Sequence, residues 1–134
     1  MTTNADITIY NHKYNKDTRM DDWHRTEIRG VHFYVDHKVA PTEKGLVGAD
    51  VYKIRIPEKA ECKKEYIPED EYAELEDVSG KWTIRKGDII VRGICEIEIE
   101  KPSDQKMRNK DYCKVTSWSD NRFGSSPHWR IGGM

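Results

Sequence analysis

The chain has 134 residues, 23 basic and 24 acidic side chains, a formal net charge of −1 and 36% hydrophobic residues. One domain over 1–134 with one core is expected at this length, and the balance of signs argues against a basic nucleic-acid coat or an acidic tail. Thirteen Ile and eight Val against two Leu and five Ala favour strands over helices, because branched side chains lose χ1 freedom in helices and pack well on pleated sheets.

In chain order, residues 1–5 read as a loose tail. Ile7 and Ile9 alternate with Thr8 and Tyr10 as a short first strand. The segment 11–21 is polar and turn-like. Trp23 to Ile28 reads as an amphipathic strand, and Gly30 as a bulge or tight bend before Val31 to Val35. The stretch 36–48, with Pro41, Gly45 and Gly48, reads as a charged loop. Asp50 to Ile56 alternates most cleanly. Tyr52, Ile54 and Ile56 share one face; Val51, Lys53 and Arg55 share the other, until Pro57 ends the strand. The long excursion 57–81 opens with a charged connection at 58–65 and holds the one helix expected, Pro68 to Leu75. Its proline suits a first turn, Glu69, Asp70 and Glu71 suit the positive end of the dipole, and Tyr72 and Leu75 form a small apolar face.

Trp82 to Ile84 is a short strand and 85–88 a turn. Asp88 to Arg92 is the next strand. After Gly93, Ile94 to Glu100 reads as another, with Cys95, Ile97 and Ile99 on one face and Glu96, Glu98 and Glu100 on the other. A hydrophilic loop at 101–111 follows, then a strand from Tyr112 to Trp118, a turn-rich connection at 119–127, a last strand from His128 to Ile131, and a loose end at 132–134. Strands joined by turns predict a mainly β fold: a small antiparallel β-barrel or sandwich with one short helix and long loops.

Function classes narrow mainly by what is lacking. No apolar run nears the roughly 20 residues of a membrane-spanning helix, so no membrane partner is expected. The start carries no secretory pattern. Cys62, Cys95 and Cys113 form no close pair, which suits synthesis in a reducing cytoplasm. Phosphate-loop, dinucleotide, nucleophile-elbow and zinc-helix motifs are all missing, so neither an enzyme nor a cofactor is expected. His24, His32 and His37 lack metal-ligand spacing, and a small metal-dependent enzyme using them is the weakest alternative. The glutamate face of Glu96, Glu98 and Glu100 is expected to be solvated and to pair across strands with Lys53 and Arg55. The loop 101–111 carries Lys101, Lys106, Arg108 and Lys110 against two acids, a local charge of +2. In a monomer that is a solvated loop; repeated around a ring it becomes a basic collar. Trp23, Trp82, Trp118 and Trp129 are core or interface anchors, or stacking platforms in an OB-like nucleic-acid-binding barrel, the main alternative.

Several stretches together carry a resemblance. They are Ile7-Thr8-Ile9-Tyr10-Asn11; Trp23-His24-Arg25-Thr26 with Gly30-Val31; Ala49-Asp50-Val51-Tyr52-Lys53-Ile54-Arg55-Ile56-Pro57; and Trp82-Thr83-Ile84 with Lys86-Gly87-Asp88-Ile89-Ile90-Val91-Arg92-Gly93. Val115-Thr116-Ser117, Ser119-Asp120-Asn121-Arg122 and Ser126-Pro127-His128-Trp129-Arg130-Ile131-Gly132-Gly133 complete them. The chain resembles uncharacterised small proteins encoded in phages and prophages of Gram-positive bacteria. In its order of elements and its Gly87-Asp88 turn it is also similar to the head–tail joining, or stopper, proteins of siphophages. That similarity implies a non-enzymatic virion protein, assembled in the bacterial cytoplasm as a homo-oligomeric ring with portal or adaptor and tail proteins as partners. Interface and channel-loop candidates are then Lys53, Arg55, Glu96, Glu98, Glu100, Lys101, Lys106, Arg108 and Lys110. Contact of a loop with packaged DNA stays open, as do the ring's copy number and a stopper, adaptor or tail-completion role.

Overall fold

The computed structural model describes residues 3–42, 45–96 and 112–134. Its elements are β1 (Ala5–Asn15), β2 (Met20–Thr42), β3 (Gly45–Pro57), β4 (Glu61–Cys62), β5 (Glu65–Tyr66), α1 (Glu69–Glu74), β6 (Lys81–Trp82), β7 (Ile89–Arg92), β8 (Tyr112–Asn121) and β9 (His128–Gly133).

Six of these strands close on themselves, each pairing antiparallel with the next. The circuit runs β1–β2, β2–β3, β3–β9, β9–β8, β8–β7 and β7–β1. The fold is therefore mainly β, a flattened ring of strands with one short helix. Closure removes most of the unpaired edges that short strands otherwise leave exposed. Two strands turn the corners between the walls. In β2, Asp6 pairs with Arg29 and Ala5 with Val31, so Gly30 is an extra residue. Its φ is +78°, and its N–H donates to Asp6 Oδ1 at 3.0 Å. The expected bend at Gly30 is the corner itself. In β8 the register skips from Val115 to Ser117. β8 pairs with β7 from Tyr112 to Lys114 and with β9 from Val115 across the skip to Asn121, so it changes sheets beside an irregularity, as strands at sheet corners do.

Ile7, Ile9, Ile28, Ile54, Ile56, Ile84, Ile90 and Ile131 fill the interior, none more than 1% exposed. Each contributes roughly 1.5–3 kcal/mol of transfer free energy, taken as an upper bound. β1 is buried on its other face as well, since Tyr10 packs with Trp23, Ile89, Val91 and Cys95. What covers that face is irregular chain, not the strand expected from Ile94 onward. Thr8 Oγ1 donates to Gly93 O at 2.9 Å and accepts Cys95 N–H at 2.8 Å, while Arg25 Nε donates to Cys95 O. Residues 94–96 are held across β1 by these bonds, outside any ladder. The remainder of that expected strand, 97–100, and the loop 101–111 lie outside the described residues.

Four other expectations are corrected. The polar stretch 11–21 is mostly hairpin: β1 runs on to Asn15 and β2 starts at Met20. Arg19 N–H donates to Asn15 O at 2.8 Å and Asp17 N–H to Asn15 Oδ1 at 2.9 Å, closing the turn. Of the charged loop 36–48, residues 36–42 and 45–48 are strand, since Asp36 to Thr42 pair with Val51 to Gly45 in unbroken register. The connection 58–65 contains β4, paired to β2, and β5, paired in parallel to β6. The terminus is tied down rather than loose: Gly133 is buried and paired, and Met134 exchanges two 3.0 Å backbone hydrogen bonds with Lys114. The helix forms as expected, with Pro68 as N-cap and Tyr72 fully buried against Ile67 and Val78.

Candidate functional site

Three features outside the barrel interior can act on another molecule. The first is an arm. β3 pairs with β9 only from Tyr52 to Pro57, and β2 pairs with β1 only as far as Val31. From Asp36–Val51 to Thr42–Gly45 the two strands pair with each other, and among the described residues no third strand flanks them. At about 3.4 Å per residue, these seven rungs reach roughly 20 Å beyond the barrel wall. Each outer edge of the ribbon presents backbone N–H and C=O groups that the ribbon does not pair.

The second is the outer face of the wall β2–β3–β9–β8. Side chains opposite one another across strands share a face. One row reads His32, Arg55, Arg130, Ser119, and the next Tyr34, Lys53, Gly132, Ser117. Lys53 and Arg55 thus lie where the alternation put them, on the face opposite buried Ile54 and Ile56. Among the described residues no glutamate stands opposite them on a neighbouring strand. The positions opposite Lys53 belong to Tyr34 and Gly132, and those opposite Arg55 to His32 and Arg130, because β3 is flanked by β2 and β9. Lys53 Nζ lies 5.9 Å from the Tyr34 ring centroid. A groove of about 350 Å³ runs along this face, lined in part by Lys53, Ser117, Trp118, Ser119, Arg130 and Gly132. Gly132 keeps it open, since a Cβ there would stand 2.7 Å from Ser117 Oγ.

The third is acidic. Asp70, Glu71, Glu74, Glu76 and Asp77 are all exposed, on α1 and just past it, and α1 has no basic residue in its last turn. Glu69 has Arg85 Nε 3.9 Å away. Glu96 is exposed on the irregular segment after β7. Glu98, Glu100, Lys101, Lys106, Arg108 and Lys110 lie outside the described residues.

Beneath the helix sits a polar cluster that the sequence reading half found. Gly87 has φ +92°, and Asp88 N–H donates to Arg85 O at 3.1 Å. The Asp88 carboxylate is fully buried. Its Oδ2 accepts from Arg85 N–H at 2.9 Å and Asn11 Nδ2 at 2.7 Å; its Oδ1 accepts from His12 N–H at 3.1 Å and lies 2.5 Å from His12 Nδ1. Asn11 also bonds Thr83, through Nδ2 to O at 2.6 Å and from N–H to Oδ1 at 3.2 Å. The Gly87-Asp88 pair was legible as a turn with a backbone-bonding carboxylate. Asn11 and His12 were not, because they sit in what read as a polar turn. Burial, and next the nearby Asp88 charge, push the Tyr72 phenol above its ordinary range.

Aromatic stacking is mostly internal. Tyr66, Trp82 and Trp129 form a triad with centroids 4.7–5.2 Å apart. Arg122 caps it, 5.1 Å from the Tyr66 ring and 5.0 Å from the Trp129 ring, held by Asp120 through bonds of 2.8 and 2.7 Å. Trp23 is buried too, and Trp118 half-buried. Among the described residues no three His, Cys, Asp or Glu side chains converge to hold a metal ion.

The model of a family of unknown function, DUF6751, matches residues 1–134. The chain belongs to that family. No curated protein and no solved structure matches it. In this DUF6751 member the arm, the basic face and the acidic segment are the surfaces through which the described residues can meet another molecule.

Proposed function

We propose that this chain is a non-enzymatic structural subunit of a phage head–tail connector, a stopper-like protein that acts as part of a ring. The observation that carries the reading is the arm. An isolated two-stranded ribbon is marginal in water, and among the described residues this one extends from a closed barrel with no third strand beside it. Such a ribbon gains stability when another chain supplies the missing neighbour, by strand addition at its edge. A rigid body plus a reaching arm suits heterologous contacts that close into a ring. In this reading the arm engages the next subunit or the portal-side or tail-side protein, in the virion.

The burial of Trp23, Trp82 and Trp129 withdraws most of the stacking surface that the OB-like nucleic-acid alternative requires. The connector reading is tested by deleting the gene from the phage or prophage and imaging the particles by negative stain. Tailless heads that have lost their DNA are expected; normal tailed particles would sink the proposal. The purified chain is expected to run as a monomer in dilute solution and to enter rings when portal-side partners are added.

A further inference from the structure

We infer that the outer face of β2–β3–β9–β8 docks the acidic segment 69–77 of a second copy of this chain. The inference rests on the ring reading and names the surfaces that would meet.

Arg55 and Arg130 stand directly opposite one another on β3 and β9, with His32 opposite Arg55 on the far side. Like charges opposed across strands destabilise a sheet. Among the described residues neither guanidinium has an ion-pair partner, and Ser119 ends the row without supplying an acid. The chain thus carries an electrostatic cost here that an outside anionic group would relieve.

The acidic segment carries the opposite cost. Asp70 and Glu74 are spaced i, i+4 on α1, a like-charge pair that weakens a helix. Glu74 closes the helix, Glu76 and Asp77 follow it, and acids at a helix C-terminus oppose the dipole. Four residues of helix advance about 6 Å, and neighbouring strands lie about 4.8 Å apart. Two carboxylates one turn apart therefore match two guanidiniums on adjacent strands. The groove beside Arg130, kept open by Gly132, gives the helix a seat. One copy offers both halves on separate elements, so the contact is head-to-tail, as ring closure needs. A nucleic-acid backbone fits less well. Two arginines and one lysine make a small footprint, and the acidic segment of the same molecule would repel a polyanion.

The test uses the full chain in sedimentation velocity, from micromolar to millimolar protein, at low and high salt. Wild type is expected to self-associate at the upper end and to dissociate as salt rises. Arg55→Glu with Arg130→Glu weakens association by about tenfold or more, and so does Asp70→Lys with Glu74→Lys. Each double variant keeps a like-charge pair, so its thermal melt stays near wild type. Mixing the two variants restores association, because the reversed face of one meets the reversed helix of the other. A wild type that stays monomeric at millimolar concentration overturns the inference. So does association that ignores both variants, or a mixture that stays apart. Salt-dependent binding of a short DNA duplex that is lost in Arg55→Glu with Arg130→Glu, without self-association, also overturns it and assigns the face to nucleic acid. Normal virions without the gene would remove the connector reading but leave these solution measurements standing.

Discussion

Gly132 and Gly133 are neighbours, yet substitution at them has different consequences. A Cβ on Gly133 would stand 2.8 Å from Lys114 O, a backbone atom, and 2.7 Å from Cys113 Sγ in a packed interior. A Cβ on Gly132 would meet Ser117 Oγ, which can rotate away. Gly133→Ala is expected to lower stability by about 1–3 kcal/mol, in the range of overpacked cores, and Gly132→Ala by less than about 1 kcal/mol. Urea melts of the two variants check this, and equal losses would contradict it. Asp88 is the other residue on which the architecture turns. Removing its carboxylate strands the Arg85 and His12 N–H groups and one N–H of the Asn11 amide, whose other bonds go to Thr83. Asp88→Ala is expected to lose at least about 3 kcal/mol, since orphaned buried donors cost more than a hydrogen bond contributes. A loss under about 1 kcal/mol in the same melts would show that the cluster is solvated.

At the scale of elements, the arm is separable from the barrel. Replacing residues 37–50 by Asn-Gly joins Asp36 to Val51 through a two-residue hairpin turn. The melting temperature is expected to move by only a few degrees, while incorporation into connector rings is lost. A variant that no longer folds would show that the arm supports the barrel. The helix makes a different prediction. Because the Tyr72 phenol is shifted upward by burial, the folded state keeps its proton where the unfolded chain, near pH 10, begins to lose it. Stability from this group is full below about pH 10 and declines as pH rises beyond it. Tyr72→Phe should flatten that alkaline limb in pH-dependent melts; an unchanged limb assigns it to other groups. Legibility in the sequence followed the same physics. β1, the Gly30 corner, β3 and α1 were readable, because one buried face or one special backbone angle forces a pattern there. The arm and the hairpin tip at Asn15 and Met20 were not, since a ribbon outside the barrel imposes no alternation. The segment 94–96 misled the reading because its alternation continues from β7 while Cys95 packs against the outside of β1. Lys53 and Arg55 were placed on the correct face, but their neighbours depended on a strand order that the sequence does not encode locally.

For the whole molecule, ring closure predicts how stability is distributed. Amide hydrogen exchange is expected to be slowest at Ile7 to Tyr10, Ile54 to Ile56 and Ile89 to Val91, which pair on both sides or line the core. Among the strands it is expected to be fastest at 36–42 and 45–51, where, among the described residues, opening breaks a single ladder. Protection of the arm equal to that of β1 in the free monomer would mean that it docks on its own barrel. The near-zero net charge takes on a spatial meaning at this scale. Lys53, Arg55 and Arg130 share the wall β2–β3–β9–β8, while Asp70, Glu71, Glu74, Glu76 and Asp77 lie on α1 and just past it, so a near-zero total hides two patches of opposite sign on different elements.

β2 joins the arm to the barrel without a break. Its 23 residues run from the hairpin tip at Met20, through the corner at Gly30, to Thr42. A load on the arm is therefore carried along a single backbone, not through a flexible linker. β2 is laddered to β1 from Met20 to Val31 and to β3 from His32 to Thr42, so a pull along its axis strains many rungs together, in shear, rather than peeling them one after another. A subunit with this construction can hold against tension at its reaching end while its body stays closed, and single-molecule pulling between the arm and the C-terminus would register that as a high rupture force.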